Sequence, residues 1–177
     1  MFPIIMLSNK ESAEIFNCSE ELCRKSSLMV GGFCAMNITK EVFDQYATAL
    51  GSEEKTNSLF SKGLGGYVIV NTDIVEKAGF IGKELEAILA HEQAHLEFNH
   101  LGGCTIETGI LVDASFEIEA DQYASNLFGK DVVISALRKI IKVVVDETVE
   151  VMGVPFEVAN KKLNNDPILL QRFAALV

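Results

Sequence analysis

Apolar positions recur along this chain with two periods, and the helical one prevails. Residues 1–7 are apolar and read as a first strand or helix packing on the core. Residues 11–25 carry a polar outer face and follow a cap at Ser8 or Asn9, which predicts a helix. Residues 28–37 are apolar around a Gly31-Gly32 break and read as a strand or a buried loop. A helix is expected over 39–50, capped near Asn37 or Thr39 and stopped by Gly51; the Gly- and Ser-rich stretch 51–66 reads as an exposed loop. The clearest strand is 66–72, where Tyr67, Val68, Ile69 and Val70 suit an extended ribbon. Helices then follow over 82–100, ended by Gly102-Gly103, over 108–128, with Gly129 just past its end, and over 131–151. A short last helix begins with Asp166 as cap and Pro167 in its first turn. The pattern predicts an α+β chain, mostly helical, with at most a small sheet.

Length and composition narrow this picture. The chain has 177 residues, enough for one self-sufficient core, and no linker, repeat or low-complexity tract divides it, so residues 1–177 are expected to form a single domain. Apolar residues make up 49% and the mean hydropathy is +0.24, which argues against disorder. The longest greasy stretch, 132–145, is interrupted by Arg138, Lys139 and Lys142, too short and too charged to cross a bilayer. The apolar N-terminus has no basic residue before it and is too short for a signal peptide, so a soluble, cytoplasmic protein is expected. Fifteen basic against twenty-five acidic residues leave a net charge of −10, which disfavours nucleic acid and anionic lipid as partners. Without a secretory signal, Cys18, Cys23, Cys34 and Cys104 are expected as reduced thiols, and Cys18 and Cys23 lack a partner pair at ligand-like spacing for a structural zinc.

The chemistry is concentrated in one place. All three histidines, His91, His95 and His100, fall within ten residues, and the first two belong to His91-Glu92-Gln93-Ala94-His95. Residues four apart share a helix face, so both imidazoles can reach one metal ion. Glu92 is turned about 100° from His91, placed to meet a metal-activated water without being a ligand. Two nitrogens with an open coordination position suit Zn²⁺, one ion. Two core histidines with satisfied hydrogen bonds are the plainer reading of the same stripe, but desolvating them beside a glutamate is costly without a cation.

A third ligand is needed. His100 lies five residues after His95, about 140° away on a continuing helix, and reads as a polar helix end. The next helix offers a better candidate. Its stripe Ile110, Ala114, Glu117, Asp121, Ala124, Phe128 sets two carboxylates into a small, apolar face. Glu117 then completes a His₂Glu set, and Asp121, one turn on, would accept the N–H of a ligand imidazole and fix its tautomer.

Over residues 63–128 the sequence resembles the M48-type gluzincin zinc metallopeptidases. The matching pieces are Gly65 through Thr72, the run LEAILAHEQAHLEFNH from Leu85 to His100, and Glu117-Ile118-Glu119-Ala120-Asp121. The resemblance implies a zincin-like fold whose small sheet has, as its edge strand, the strand before the H-E-x-x-H helix. It implies His91, His95 and Glu117 as zinc ligands, Glu92 as general base and Asp121 as the carboxylate behind the ligands. It also implies that Gly66, Tyr67, Val68, Ile69, Val70 and Asn71 bind an extended peptide by backbone pairing. Members often carry transmembrane helices, so a soluble, minimal version is implied. Many also carry a C-terminal His-Pro followed by Arg; here Asp166-Pro167 and Arg172 stand in those places, which makes Arg172 an auxiliary candidate and leaves the oxyanion-stabilising group unassigned.

These readings converge on zinc-dependent hydrolysis of peptide bonds in peptides or unfolded proteins, with Glu92 moving the proton. The alternative is a catalytically inactive, zinc-containing module that binds peptides or regulates a partner, favoured by Asp166 in place of histidine. A purely structural cluster would need a fourth ligand, for which Cys104 is the remote candidate. Substrate identity and oligomeric state are not legible in the sequence.

Overall fold

The computed structural model describes residues 1–29, 31–60, 65–100 and 113–177. At its centre lies the strand that the sequence marks most clearly, β3 (Gly65–Asn71). β1 (Ile4–Leu7) pairs with it in parallel, Ile5 opposite Ile69; β2 (Phe33–Ile38) pairs in antiparallel, Ala35 opposite Val68. The strand order is β1-β3-β2. The strand before the histidine helix is therefore central, which corrects the expectation that it forms an edge. Its near-continuous apolar run is the mark of a strand covered on both faces. Val68 and Val70 join Phe33 in a core beneath the larger helices, while Tyr67 joins Ile38, Phe43 and Phe60 in a second core on the other face.

The first predicted helix is two. α1 (Asn9–Phe16) starts on a reciprocal cap between Ser8 and Glu11 and ends where Asn17 turns left-handed, and α2 (Glu20–Met29) follows. α3 (Lys40–Ala49) is capped by Thr39, one of the two residues expected there. The supposed exposed loop contains α4 (Glu53–Leu59), capped by Ser52, with Thr56 and the following Phe60 buried. α5 (Thr72–Ala78) was also unforeseen: Asn71, the last residue of β3, accepts from the N–H groups of Asp73 and Ile74 and starts a helix directly.

α6 (Glu84–Glu97) lies against β2 and β3 and is packed in turn by α7 (Ala114–Phe128) and α8 (Lys130–Met152). Gln93 ties α6 to the sheet: its amide accepts from Phe2 N at 2.8 Å and donates to Phe2 O at 2.9 Å. α9 (Phe156–Asn164) and α10 (Pro167–Leu176) close the chain, and Asp166 caps α10 as the sequence predicts. α10 packs across α7, which brings the C-terminal segment to the histidine helix's partner. The start of the helix expected from residue 108, with Ile110 and Cys104, lies outside the described residues. Among the described residues, no helix is long and apolar enough to cross a membrane.

Candidate metal and catalytic centre

α6 buries Ala87, Ile88, His91, Ala94 and His95. The two alanines have no bulk to hold neighbours off, so α7 and the sheet approach closely and the imidazoles lose water. Across from them α7 buries Ala120, Asp121 and Ala124, with Glu117 one turn earlier on the same face. His91 Nε2 and His95 Nε2 stand 3.0 Å apart. Glu117 reaches both, Oε2 at 3.3 Å from His91 Nε2 and Oε1 at 3.4 Å from His95 Nε2. Donors on a tetrahedral zinc, with bonds of about 2.0–2.1 Å, are separated by about 3.3–3.4 Å. The triangle therefore fits such an ion by both its size and its N, N, O donor set. Among the described residues these three form the one group of this kind able to hold a metal.

Behind the triangle, the other groups are equally crowded. Asp121 Oδ1 is 2.8 Å from His91 Nδ1, although the ring N–H is off the line of a well-aligned hydrogen bond. Arg172, on α10, donates through Nε and Nη2 to the two oxygens of Asp121, both at 2.8 Å, and its Nη1 lies 2.8 Å from Glu117 Oε2. Arg172 is thus a largely enclosed clamp on both carboxylates; the C-terminal helix, remote in sequence, completes the centre.

Charges set the titration of these groups. Burial works against a charge on His91, but Asp121 and Glu117 outweigh it and hold its imidazole up at about 9. His95 is driven the other way, to about 4, by burial and by the neighbouring His91. Burial would raise Glu117, yet His91 and Arg172 keep it down at about 2. Asp121 is likewise held below the usual carboxylate range: burial opposes its charge, but contacts with His91 and Arg172 prevail. Glu92 is different. Burial pushes its carboxyl up, and the charge on His91 only partly offsets that.

Glu92 points towards the sheet, where Oε2 accepts from Ala35 N at 2.8 Å. Asn71 N donates to Gly32 O, and the antiparallel register then turns the backbone groups of Phe33, Ala35 and Asn37 away from β3. Among the described residues no strand pairs with that outer side of β2. The edge next to Glu92 is accordingly β2. Of Gly66, Tyr67, Val68, Ile69, Val70 and Asn71, expected as the peptide-binding edge, Val68, Ile69 and Val70 are paired with both neighbouring strands, Gly66 and Tyr67 pair with β2 and Asn71 pairs with β1; the side chains of Tyr67, Val68 and Val70 are buried. Asn71 is occupied in capping α5 and bonding Asn9 and Ser27. Strand order depends on long-range pairing and leaves no local signal, so Ala35 had no mark in the sequence. His100 is no part of the triangle, but it is buried against His95, their Nδ1 atoms 3.0 Å apart.

Comparison with known families gives a match that covers the histidine helix. Residues 34–116 match the model of peptidase family M48. The matched stretch includes β2 from its second residue, β3 and all of α6 with His91, Glu92 and His95; it ends one residue before Glu117. The match supports membership of that family, and with it a metallopeptidase. No curated protein and no solved structure matches the chain.

Proposed function

We propose that the protein is a zinc metallopeptidase that hydrolyses peptide bonds in extended peptide or unfolded-protein segments, on a zincin-like framework. The observation that carries this reading is the triangle of buried His91 and His95 with half-buried Glu117, and Glu92, next to His91 on α6, facing the β2 edge. Three protein donors are the count of a catalytic zinc rather than a structural one. When bound, zinc supplies a Lewis acid that polarises a carbonyl and makes water more acidic.

The protein's own residues do the rest. His91, His95 and Glu117 hold the ion, while Arg172 and Asp121 keep Glu117 and His91 in place. An extended substrate adds to the outer side of β2, its backbone pairing with the outward groups of Phe33 and Asn37 and with the carbonyl of Ala35, whose N–H is held by Glu92. That edge runs past Glu92, so a peptide bound there brings its carbonyls to the base. Glu92, with a raised pKa, takes a proton from the attacking water and passes it to the leaving amine. Water's oxygen bonds to the carbonyl carbon, the C–N bond breaks, and the products are a carboxylate and an amine.

The test is Glu92→Gln in the zinc-loaded protein. Zinc content stays at that of wild type, and cleavage of unfolded casein falls by at least about 100-fold, the lower end of a general base's contribution. Unchanged turnover would remove Glu92 from this role. Zinc-loaded wild type that binds casein without cutting it would favour the peptide-binding alternative.

A further inference from the structure

We infer that His100 and Glu119 form a two-residue relay that sets the tautomer of His95 and so turns its Nε2 lone pair towards the metal. This rests on the reading of His95 as a ligand through Nε2. The relay begins with the way α6 ends. Asn99 adopts a left-handed φ of 56°. Its N–H donates to Leu96 O at 3.2 Å, and the N–H of His100 donates to His95 O at 2.9 Å. These are the paired bonds of a Schellman turn, with Asn in the position that favours glycine or asparagine. On an unbroken helix His100 would face about 140° away from His95. The turn swings it back instead.

The ring then sits between two partners. His100 Nδ1 is 3.0 Å from His95 Nδ1, and His100 Nε2 is 3.0 Å from Glu119 Oε2 on α7. Phe116 stacks on the imidazole, ring centroids 4.5 Å apart and planes 10° from parallel, which holds its orientation. The rest follows from donor and acceptor rules. A carboxylate only accepts, so the proton between Glu119 and His100 belongs to His100 Nε2. A neutral His100 protonated there carries a lone pair on Nδ1, so the proton facing it belongs to His95 Nδ1. A neutral His95 protonated on Nδ1 keeps its lone pair on Nε2, the atom in the metal triangle. His91 has a carboxylate directly behind it in Asp121; His95 has one at second hand, through a ring. Glu119 is 57% exposed, so the outer end of the relay can be changed without opening the core.

The test measures zinc affinity by competition with a chromophoric chelator, together with ring ¹H–¹⁵N spectra of the metal-free protein. Glu119→Ala and His100→Leu each weaken zinc binding by about 10–100-fold, the range for groups behind metal ligands. His100→Gln, whose amide oxygen can accept from His95, stays closer to wild type than His100→Leu. In the metal-free wild type the spectra show His95 protonated on Nδ1 and His100 on Nε2; in Glu119→Ala both become mixtures of tautomers, a change that loss of a nearby charge alone would not produce. If the wild type binds no zinc, the metal reading itself fails. If it binds zinc while folded Glu119→Ala and His100→Leu bind as tightly, or His95 keeps one tautomer in Glu119→Ala, the relay is overturned and the metal reading stands.

Discussion

Arg172 is the residue on which the centre's charge balance turns. Glu117 and Asp121 are two carboxylates removed from water within one helical turn, and Arg172 answers both. Without it, that pair keeps only the histidines as cationic partners, and breaking a buried ion pair costs about 3–5 kcal/mol. Arg172→Met is therefore expected to lose that much stability in urea unfolding of the metal-free protein, and to regain part of it on adding zinc; a loss below about 1 kcal/mol would show the clamp to be dispensable. Glu84 presents the same physics without the metal. Its buried carboxylate accepts from Lys139 and Ser135, each at 2.6 Å, and from the N–H of Ile81. Burial would raise it, but these donors prevail and lower it from 4.5 to about 2. A depressed carboxylate stabilises the fold above its unfolded pKa, and the contribution fades as pH falls through the folded one. Glu84→Gln is thus expected to be less stable than wild type at pH 7, with the gap narrowing from pH 4.5 towards pH 2. A gap that does not change over that interval would separate Glu84's stabilising role from its charge.

Elements were legible where the signal was local. Of the caps read from the sequence, Ser8 (rather than Asn9), Thr39 (rather than Asn37) and Asp166 before Pro167 each begin a helix in the structure. α4, α5 and α9 were missed for different reasons. The Gly and Ser content around α4 hid the cap at Ser52, and Asn71 reads as a strand ending because it is one, as well as being a cap. α9 follows Pro155 and is a short helix with only Ala159 buried, so its apolar stripe is faint. The end of α6 was misjudged for want of one dihedral: carrying the helix through His100 sends that ring outward, whereas the left-handed Asn99 brings it in. Asn99→Gly should be tolerated at near wild-type stability, since glycine adopts this conformation freely. Asn99→Val should cost about 1–2 kcal/mol or more, because a β-branched residue resists positive φ. Equal melting temperatures for the two variants would contradict the turn.

At the scale of the whole molecule, the centre is a junction of three helices. α6 supplies two imidazoles, α7 a carboxylate pair and α10 the guanidinium that spans it. An ion held by α6 and α7 would link elements that the unfolded chain cannot bring together, so binding and folding would be coupled. At a free zinc concentration of about 1,000 times the dissociation constant the native state gains about 4 kcal/mol. Scanning calorimetry should show the melting temperature rising with zinc and falling again on chelation. Glu117→Ala should lose most of that rise, and a melting temperature insensitive to zinc in the wild type would argue against a site bridging the two helices.

The amino-acid sequence by itself determined the mostly helical character, the caps that begin several helices, and the pairing of His91 with His95 around Glu92, because all of these depend on spacings within one or two turns. It also placed Glu117 and Asp121 on one stripe of the following helix. Only the tertiary structure decided which strand lies at the edge beside Glu92, that His100 folds back onto His95, and that Arg172 from the far end of the chain closes over both carboxylates. Strand order and interhelical contact come from packing between segments far apart in sequence, and a single left-handed residue can redirect a side chain that helical periodicity sends elsewhere.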